Sequence, residues 1–332
     1  HQDLTTFTID FSNRYNIAII LKLVKIINRE RIDIVHGQGA RAEFYARLAA
    51  RFAGGKPYVS TVAVPVEGYD VGPLRRLLYK GFDRFSENYV SRFIVVSDSL
   101  VNAMIDGHGV AQEKVIKIYN GIETDTYKPD GQSANRRRIR EGFRISDKEI
   151  LIGAVGRLTW PKGFEFFIRA IPHIVHALPN SRFLLVGEGS LRHDLEALVK
   201  SLGLQDRILL TGQRTDIRDI LAALDIVVVP SLQEGFPVLT LEAMAMEKPI
   251  VATAIDGIRE QITDDVEGLL VAPKNALAIA QGVMHLADNP GHARLLGKNA
   301  RVRVIRDFSI QKMMAETIKV YETVGEYQPY RQ

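Results

Sequence analysis

Residues 225–249 read DIVVVPSLQEGFPVLTLEAMAMEKP. The apolar run at its start is continuous rather than alternating, as expected of a strand buried on both faces of a parallel sheet. It stops at Pro-Ser, and a short loop leads into a helix expected to start near Pro237, because proline is favoured in the first helical turn. The loop is therefore aimed at a helix N-terminus, where free amides and the positive end of the dipole attract phosphate or sugar hydroxyls.

The same strand, loop and helix order recurs along the chain. EILIGAVGRL, SRFLLVGEGS, RILLTGQ, PIVATAI and GLLVAP read as further strands of the C-terminal half, separated by helical segments such as FEFFIRAIPHIVHAL. In the N-terminal half, IAIILKLVKIINRE has helical spacing, and RIDIVHGQG, PYVSTVAVP, RFIVVSDS and KVIKIYNGIE are short apolar runs ending in turn residues. The polar stretch YKPDGQSANRRRIREGF interrupts this alternation, so a domain boundary is placed there. The expected organisation is an N-terminal Rossmann-like domain at 1–127, a second at 128–310, and a C-terminal helix at 311–332. The fold class is α/β, with two parallel sheets each covered by helices. Ligands of such sheets sit beyond the carboxyl ends of the strands, which selects His36, Ala63, Ser97, Asn120, Arg157, Glu188, Gln213 and Glu234 for attention.

Two carboxylates frame the quoted loop and helix. Glu234 lies in the loop. Glu242 stands inside the helix, roughly 7 to 8 Å along the axis from Pro237 at about 1.5 Å per residue, so the two can reach different parts of one elongated ligand. Leu239, Leu241, Ala243, Met244 and Ala245 leave Glu242 little polar surface, and a half-buried carboxylate needs a hydrogen-bonding partner such as a diol. The plain alternative is a glutamate that merely complements the helix dipole. GRLTWPKG places Arg157 and Lys162 around a Trp-Pro turn, a fork and a point charge that suit a diphosphate; alone they read better as ordinary surface cations, and the glutamate motif beside them reverses that.

The 332-residue chain has the composition of a globular protein: 46% hydrophobic, 25% charged, and no apolar run long enough to span a bilayer. It contains no cysteine, so disulfides, thiol nucleophiles and thiolate metal sites are excluded; a cytoplasmic setting is expected. Its histidines show no metal-ligand spacing, and no metal site is read. A net charge of +4 is mild for this size and gives no nucleic-acid signature. RRRIR at 136–140 lacks interleaved aromatics and reads as a solvated linker helix. His1 is not a starting methionine, and the first residues lack the order of a signal peptide, so the chain is expected to begin partway into a longer protein.

EGFPVLTLEAMA, GRLTWPKG, VGEGSLR and VVPS together resemble the retaining, nucleotide-sugar-dependent glycosyltransferases of family 4, whose GT-B fold consists of two facing Rossmann-like domains. The resemblance is strongest from about Asn120 to Pro273. It implies that Glu234, Gly235 and the amides of Phe236, Val238 and Leu239 hold the donor sugar, and that Glu242 holds the ribose. Arg157 and Lys162 would neutralise the diphosphate without a metal. Arg214, with Gly187 and Glu188, would lie on the side of the base. Glu234 would orient the sugar rather than attack it, while a departing phosphate oxygen takes the acceptor proton.

Two departures from the family pattern stand out. No strand and glycine-rich loop precede the first helix, which implies an N-terminal domain truncated at its start. Ala63 stands where relatives carry a histidine that contacts the donor sugar; His36 matches a different family position.

The function so implied is transfer of a sugar from a UDP- or GDP-linked donor to a glycan or lipid-linked acceptor, with no further cofactor, in cell-envelope polysaccharide or lipopolysaccharide synthesis. The alternative is a catalytically silent sugar-nucleotide-binding protein, motivated by Ala63. A nicotinamide-dependent oxidoreductase is disfavoured by the lack of a G-x-G-x-x-G after any strand. Arg75, Arg76, Lys80 and Arg84 share a helix with Leu74, Leu77, Leu78 and Phe82 opposite. This face suits anionic lipid at the inner side of the cytoplasmic membrane or, equally, a solvated helix packed on its domain.

Overall fold

A computed structural model describes residues 4–10, 17–63, 86–129 and 133–326. They fall into two compact units: His1–Val96, Leu100–Ile118 and the chain from Glu316 form the first, and Ser97–Ser99 with Tyr119–Ala315 form the second. Arg75, Arg76, Lys80 and Arg84 lie outside the described residues.

Among the described residues, the first unit is built on a parallel sheet of four strands, β1 (Val35–Gln38), β2 (Tyr58–Val62), β3 (Arg92–Val95) and β4 (Val115–Lys117), in the order β1-β2-β3-β4. Helix Ala18–Arg29 buries Ile19, Ile20 and Ile27 against Tyr45 and Ala49 of helix Ala40–Phe52 and against Ala53, which follows it. On the latter helix Arg47 pairs with Glu43 one turn earlier, and its guanidinium also donates to Ser60 Oγ at 3.2 Å and Ser86 Oγ at 3.0 Å. Both members of the pair are buried, so these hydroxyl contacts help offset the cost of withdrawing two charges from water.

The second unit holds six parallel strands: β5 (Ile150–Val155), β6 (Ser181–Val186), β7 (Ile208–Leu210), β8 (Ile226–Val229), β9 (Ile250–Thr253) and β10 (Leu269–Val271). Their order is β10-β9-β8-β5-β6-β7. All four residues of β8 and of β9 are buried, which is the physical content of their uninterrupted apolar runs. On one face, helix Phe164–Ala177 packs Phe167, Ile168, Ile171 and Ile174 into the main core together with Ile279 and Val283 of helix Ala276–Asp288. The chain moves outward in one direction from β5 to β7 and in the other from β8 to β10. The reversal falls between β5 and β8, and a doubly wound sheet opens a crevice at the carboxyl ends of such a pair.

The arginine-rich segment corrects the sequence expectation. Helix Ser133–Gly142 is not a solvated linker; it packs on helix Ile217–Ala223. Arg140 is only 1% exposed, and donates to the carbonyls of Ser146 (2.6 Å), Glu149 (2.5 Å) and Ala223 (3.2 Å) and to Asp225 Oδ2 (3.2 Å). Arg136 adds bonds to the Ala223 carbonyl at 2.9 Å and Asp225 Oδ1 at 2.7 Å. Lys248 Nζ donates to the carbonyls of Ala222 (3.0 Å) and Leu224 (2.9 Å), and burial beside these guanidinium groups lowers its pKa to about 8. Three cations thus converge on the carbonyl end of helix Ile217–Ala223, where the dipole is negative and the last C=O groups lack partners within the helix.

Arg140→Met keeps an apolar stem but removes every donor, leaving buried carbonyls and Asp225 short of partners. A loss of about 3 kcal/mol is expected, read as a lower urea midpoint. An unchanged midpoint would show the guanidinium to be dispensable.

Candidate active site

Two loops meet at the reversal between β5 and β8. The loop after β5 turns through a short 3-10 segment, Trp160–Lys162, and the loop after β8 occupies 230–237. Their backbones are joined directly, with the amide of Leu232 donating to the carbonyl of Pro161 at 2.7 Å. Gly163, at φ +62°, starts helix Phe164–Ala177, and a Cβ there would stand 2.1 Å from the carbonyl oxygen of Pro230. Only glycine serves both the left-handed backbone and the close approach. From the neighbouring strand end, Thr253 Oγ1 donates to the Ser231 carbonyl at 2.5 Å.

On this frame Lys162 Nζ meets Glu234 Oε1 at 2.5 Å, and Ser231 Oγ donates to the same oxygen at 2.8 Å. The lysine side chain is 24% exposed and the glutamate 9%, so the pair is largely shielded from water while the ammonium still reaches it. Glu234 therefore has its charge matched and its rotamer fixed by two donors. Arg157, on the same loop as Lys162, is exposed, and no side-chain partner holds its guanidinium among the described residues.

The loop then enters helix Val238–Ala245, whose N-cap is Pro237 with no side-chain cap. Nothing from its own side chains satisfies the first-turn amides, and its first turn carries no carboxylate, so the positive end of the dipole is unneutralised. The approach to this N-terminus is held from several sides. Asn120 Nδ2 donates to the Phe236 carbonyl at 2.9 Å, and Gln261 Nε2 to the Pro237 carbonyl at 2.9 Å. The ring of Phe236, 3% exposed, stacks on Tyr119 at 4.7 Å between centroids and meets Phe308 edge-on at 5.2 Å. A Cβ on Gly257 would lie 1.8 Å from the Gly235 carbonyl oxygen, so a neighbouring helix start presses on the loop as closely as backbone allows.

Glu242 is half-buried one turn and a half further along the helix, and burial raises its carboxyl above the ordinary glutamate range. The Tyr127 phenol opposes that rise and draws the carboxyl part of the way back down. Burial and the same carboxylate push the phenol above its usual value.

The remaining expected positions lie on adjoining loops. Gly187, after β6, packs where a Cβ would be 1.8 Å from the Gly156 carbonyl oxygen, and its amide donates to the Gly212 carbonyl at 2.9 Å, linking the loops after β5, β6 and β7. Glu188 pairs with Arg192. Arg214 holds Asp216 through two bonds of 2.8 and 2.7 Å, and lies over the ring of Phe143 at 5.7 Å.

In the first unit, Ala63 follows the end of β2. His36 is engaged by Thr61 Oγ1 at 2.7 Å and by the Tyr321 hydroxyl at 2.5 Å, with its pKa lowered by burial. Among the described residues, no cluster of three or more histidines and carboxylates is placed to hold a metal, and no helix is long and apolar enough to cross a membrane.

The sequence pattern named Glu234, Glu242, Arg157 and Lys162, of which the structure joins Lys162 and Glu234, and named Asn120 as a strand-end residue. It missed Tyr127, Ser231, Thr253 and Gln261. Proximity of Ser231 to Glu234 in sequence was an available signal; the others come from distant segments and gave none.

Residues 149–289 match the family described as Glycosyl transferases group 1, and residues 4–126 match Glycosyltransferase Family 4. The chain belongs to these glycosyltransferases. An uncharacterised glycosyltransferase of Methanocaldococcus jannaschii is 32% identical over 70% of this chain; the match spans only 60% of that relative's own length. The UDP-Gal:alpha-D-GlcNAc-diphosphoundecaprenol alpha-1,3-galactosyltransferase of Escherichia coli is 28% identical, over 91% of this chain and 78% of its own. Among solved structures, a glycosyltransferase from Rickettsia africae aligns with a TM-score of 0.81 at 22% identity, covering 98% of this chain and 85% of the other. Anabaena HepE in complex with UDP and glucose aligns with a TM-score of 0.82 at 21% identity, covering 95% and 84%. The likeness to these structures shows the GT-B glycosyltransferase fold, two α/β units on parallel sheets.

Gly163→Ala should force a methyl group into the Pro230 carbonyl and a non-glycine residue into positive φ, so a loss above about 2 kcal/mol is expected. Thermal unfolding monitored by circular dichroism checks it: a midpoint equal to that of the unaltered protein would mean that the two loops can separate at no cost.

Proposed function

We propose that this chain moves a sugar from a nucleotide-sugar donor to a glycan or lipid-linked acceptor, with retention of anomeric configuration, in cell-envelope polysaccharide or lipopolysaccharide synthesis. The observation that carries the reading is the Lys162–Glu234 pair beside an uncapped helix N-terminus, with Glu242 further along the same helix. An elongated anionic ligand with a sugar at one end and a ribose at the other matches that order of groups.

In this reading Arg157 and Lys162 offset the charge of the diphosphate, which grows as the bond from the anomeric carbon to phosphate oxygen breaks. Glu234, held by Lys162 and Ser231, orients the hydroxyls of the donor sugar together with Gly235 and the amides of Phe236, Val238 and Leu239. The acceptor hydroxyl oxygen forms the new bond to the anomeric carbon on the face the leaving group departs from. Its proton passes to the released phosphate oxygen, giving a glycoside and a nucleoside diphosphate. Glu242 accepts hydrogen bonds from the ribose, and Arg214 with Gly187 and Glu188 borders the base. No metal is assigned a role, since the two cations supply the charge.

UDP is the favoured donor nucleotide because the E. coli relative is a UDP-Gal-dependent galactosyltransferase by name and Anabaena HepE is solved in complex with UDP and glucose. We place the protein in the cytoplasm, with Arg75, Arg76, Lys80 and Arg84 as its contact to the inner face of the cytoplasmic membrane. A silent sugar-nucleotide-binding protein is the second reading, favoured by the methyl group of Ala63 where the family carries a histidine. It predicts donor binding without transfer, and turnover gained by Ala63→His would exclude it.

Calorimetry with UDP, GDP and their sugar conjugates, followed by assay of transfer and of product anomeric configuration, tests the assignment. Glu242→Ala should weaken nucleotide binding by roughly tenfold or more, the scale of hydrogen bonds to a charged group. Glu234→Ala should weaken it less and mainly lower transfer. Equal nucleotide affinity in the unaltered protein and Glu242→Ala would remove the ribose assignment.

The pH dependence follows from the raised carboxyl of Glu242. The ionised form accepts from the ribose, so affinity holds above that raised pKa and falls as the pH drops through it, earlier on acidification than for an ordinary glutamate. Glu242→Gln should bind more weakly and lose this acidic limb; a limb of unchanged position in Glu242→Gln would assign it to another group.

A further inference from the structure

We infer that Arg214 is a specificity-determining residue that selects a nucleotide base bearing a ring carbonyl, uracil before cytosine, and that Asp216 and Phe143 are the positioning residues that hold its guanidinium. The inference rests on the assignment of Arg214 to the side of the base.

Asp216 stands at the N-cap of helix Ile217–Ala223, a place where an aspartate ordinarily accepts a bond from a first-turn amide. Here its side chain caps nothing. Both of its oxygens turn instead to Arg214, Oδ1 accepting from Nε at 2.8 Å and Oδ2 from Nη2 at 2.7 Å. The helix start has thus given up its cap to a residue two positions back, in the loop after β7. Such a paired bond fixes the plane of a guanidinium and its direction within that plane. One face of the plane lies over the ring of Phe143, with Cζ 5.7 Å from the ring centroid. The remaining edge is open. Both hydrogens of Nη1 and the second of Nη2 have no partner among the described residues, and the side chain is 35% exposed. The nearby carboxylate of Glu188, whose Oε1 would be 3.1 Å from a Cβ on Gly212, is itself paired with Arg192.

Charge balance decides which ligand suits the open edge. Arg214 and Asp216 together carry no net charge, so a phosphate arriving there would gain little from the cation and would also meet the carboxylate behind it. A neutral carbonyl needs only aligned N–H donors, which the fixed fork supplies. An amino group at the same point of the base turns donors toward donors and leaves both sides unpaired, the case in which a polar site rejects an analogue most strongly. Uracil offers a carbonyl at C4 where cytosine offers an amino group. Neither Arg214 nor Asp216 touches a reacting atom in this reading.

The test is calorimetry on the full chain with two pairs of nucleotides, UDP against CDP and inosine diphosphate against ADP. Each pair exchanges a carbonyl for an amino group, and inorganic pyrophosphate serves as the control without a base. In the unaltered protein the carbonyl-bearing member of the better-bound pair should bind at least about tenfold tighter, the scale of one hydrogen bond from a charged donor. Arg214→Leu should bring that ratio below about threefold by weakening the carbonyl-bearing nucleotide, with pyrophosphate affinity unchanged. Arg214→Lys, which keeps the charge and loses the fork, should do the same. Asp216→Asn and Phe143→Leu should each lower the ratio about threefold, as expected when a donor is left in place and its aim is loosened. A role confined to capping or packing would lower the unfolding temperature and leave the ratio alone.

Equal binding within both pairs by the unaltered protein, with Glu242→Ala still weakening all of them, overturns the inference and leaves the site reading standing. A carbonyl preference that survives Arg214→Leu also overturns it, because base choice then belongs to another group. So does a loss of pyrophosphate affinity that matches the loss of UDP affinity, which would make Arg214 a phosphate ligand. An unchanged ratio in both Asp216→Asn and Phe143→Leu removes their positioning role. If the unaltered protein binds no nucleoside diphosphate, the assignment of the site itself fails and takes this inference with it.

Discussion

The hydrogen bond from the Leu232 amide to the Pro161 carbonyl, 2.7 Å long, joins the two loops that leave the sheet where its winding reverses. It can form only because Gly163 has no side chain to meet Pro230, and it sets the distance at which Lys162 and Glu234 face one another. Two opposite charges on loops of different strands would otherwise be free to fan apart into water, where an ion pair contributes little. Locking the backbones first removes most of that freedom, so the pair costs little further entropy and stands in a fixed direction.

The helix that follows is held by the same logic. Its N-terminus has no side-chain cap, an arrangement that leaves amides unsatisfied, and the surrounding contacts stabilise it from outside. Asn120 and Gln261 bind the carbonyls just before the helix, and Tyr119 and Phe308 cover the ring of Phe236. At the opposite end of a different helix the problem is reversed: Arg136, Arg140 and Lys248 gather on the carbonyls that end Ile217–Ala223. The unit thus covers a negative helix end with buried cations on the side away from the strand tips, and leaves a positive helix end open at the tips.

Much of this was legible from the residues. Continuous apolar runs marked the strands because a parallel sheet covered on both faces has no wet side to encode. The rule that ligands lie beyond strand carboxyl ends then picked out Arg157, Glu234 and Asn120. Arg140 was misread because arginines in a polar segment ordinarily face water, and the four acceptors that make burial tolerable come from Ser146, Glu149, Ala223 and Asp225. Tyr127 escaped notice for a similar reason. A tyrosine in an irregular segment carries no periodic signal, and its phenol comes to bear on the Glu242 carboxyl only when the fold brings the two segments together.

The sequence by itself determined the grammar: which segments are strands, where each one ends, and which helix begins beside which loop. These follow from local preferences, namely hydrophobic period, turn residues and the placing of proline. Tertiary structure decided which strand ends are neighbours, and so which charges meet. Lys162 reaches Glu234 because β5 and β8 are adjacent although two strands intervene in the chain, and strand order depends on how layers of helix pack on the sheet. Glu242 is a dipole-complementing glutamate or a ligand-binding one according to what surrounds it. Burial beside Tyr127, across more than a hundred residues of chain, settles its environment, because solvent exclusion belongs to the packed fold and to no short segment of it.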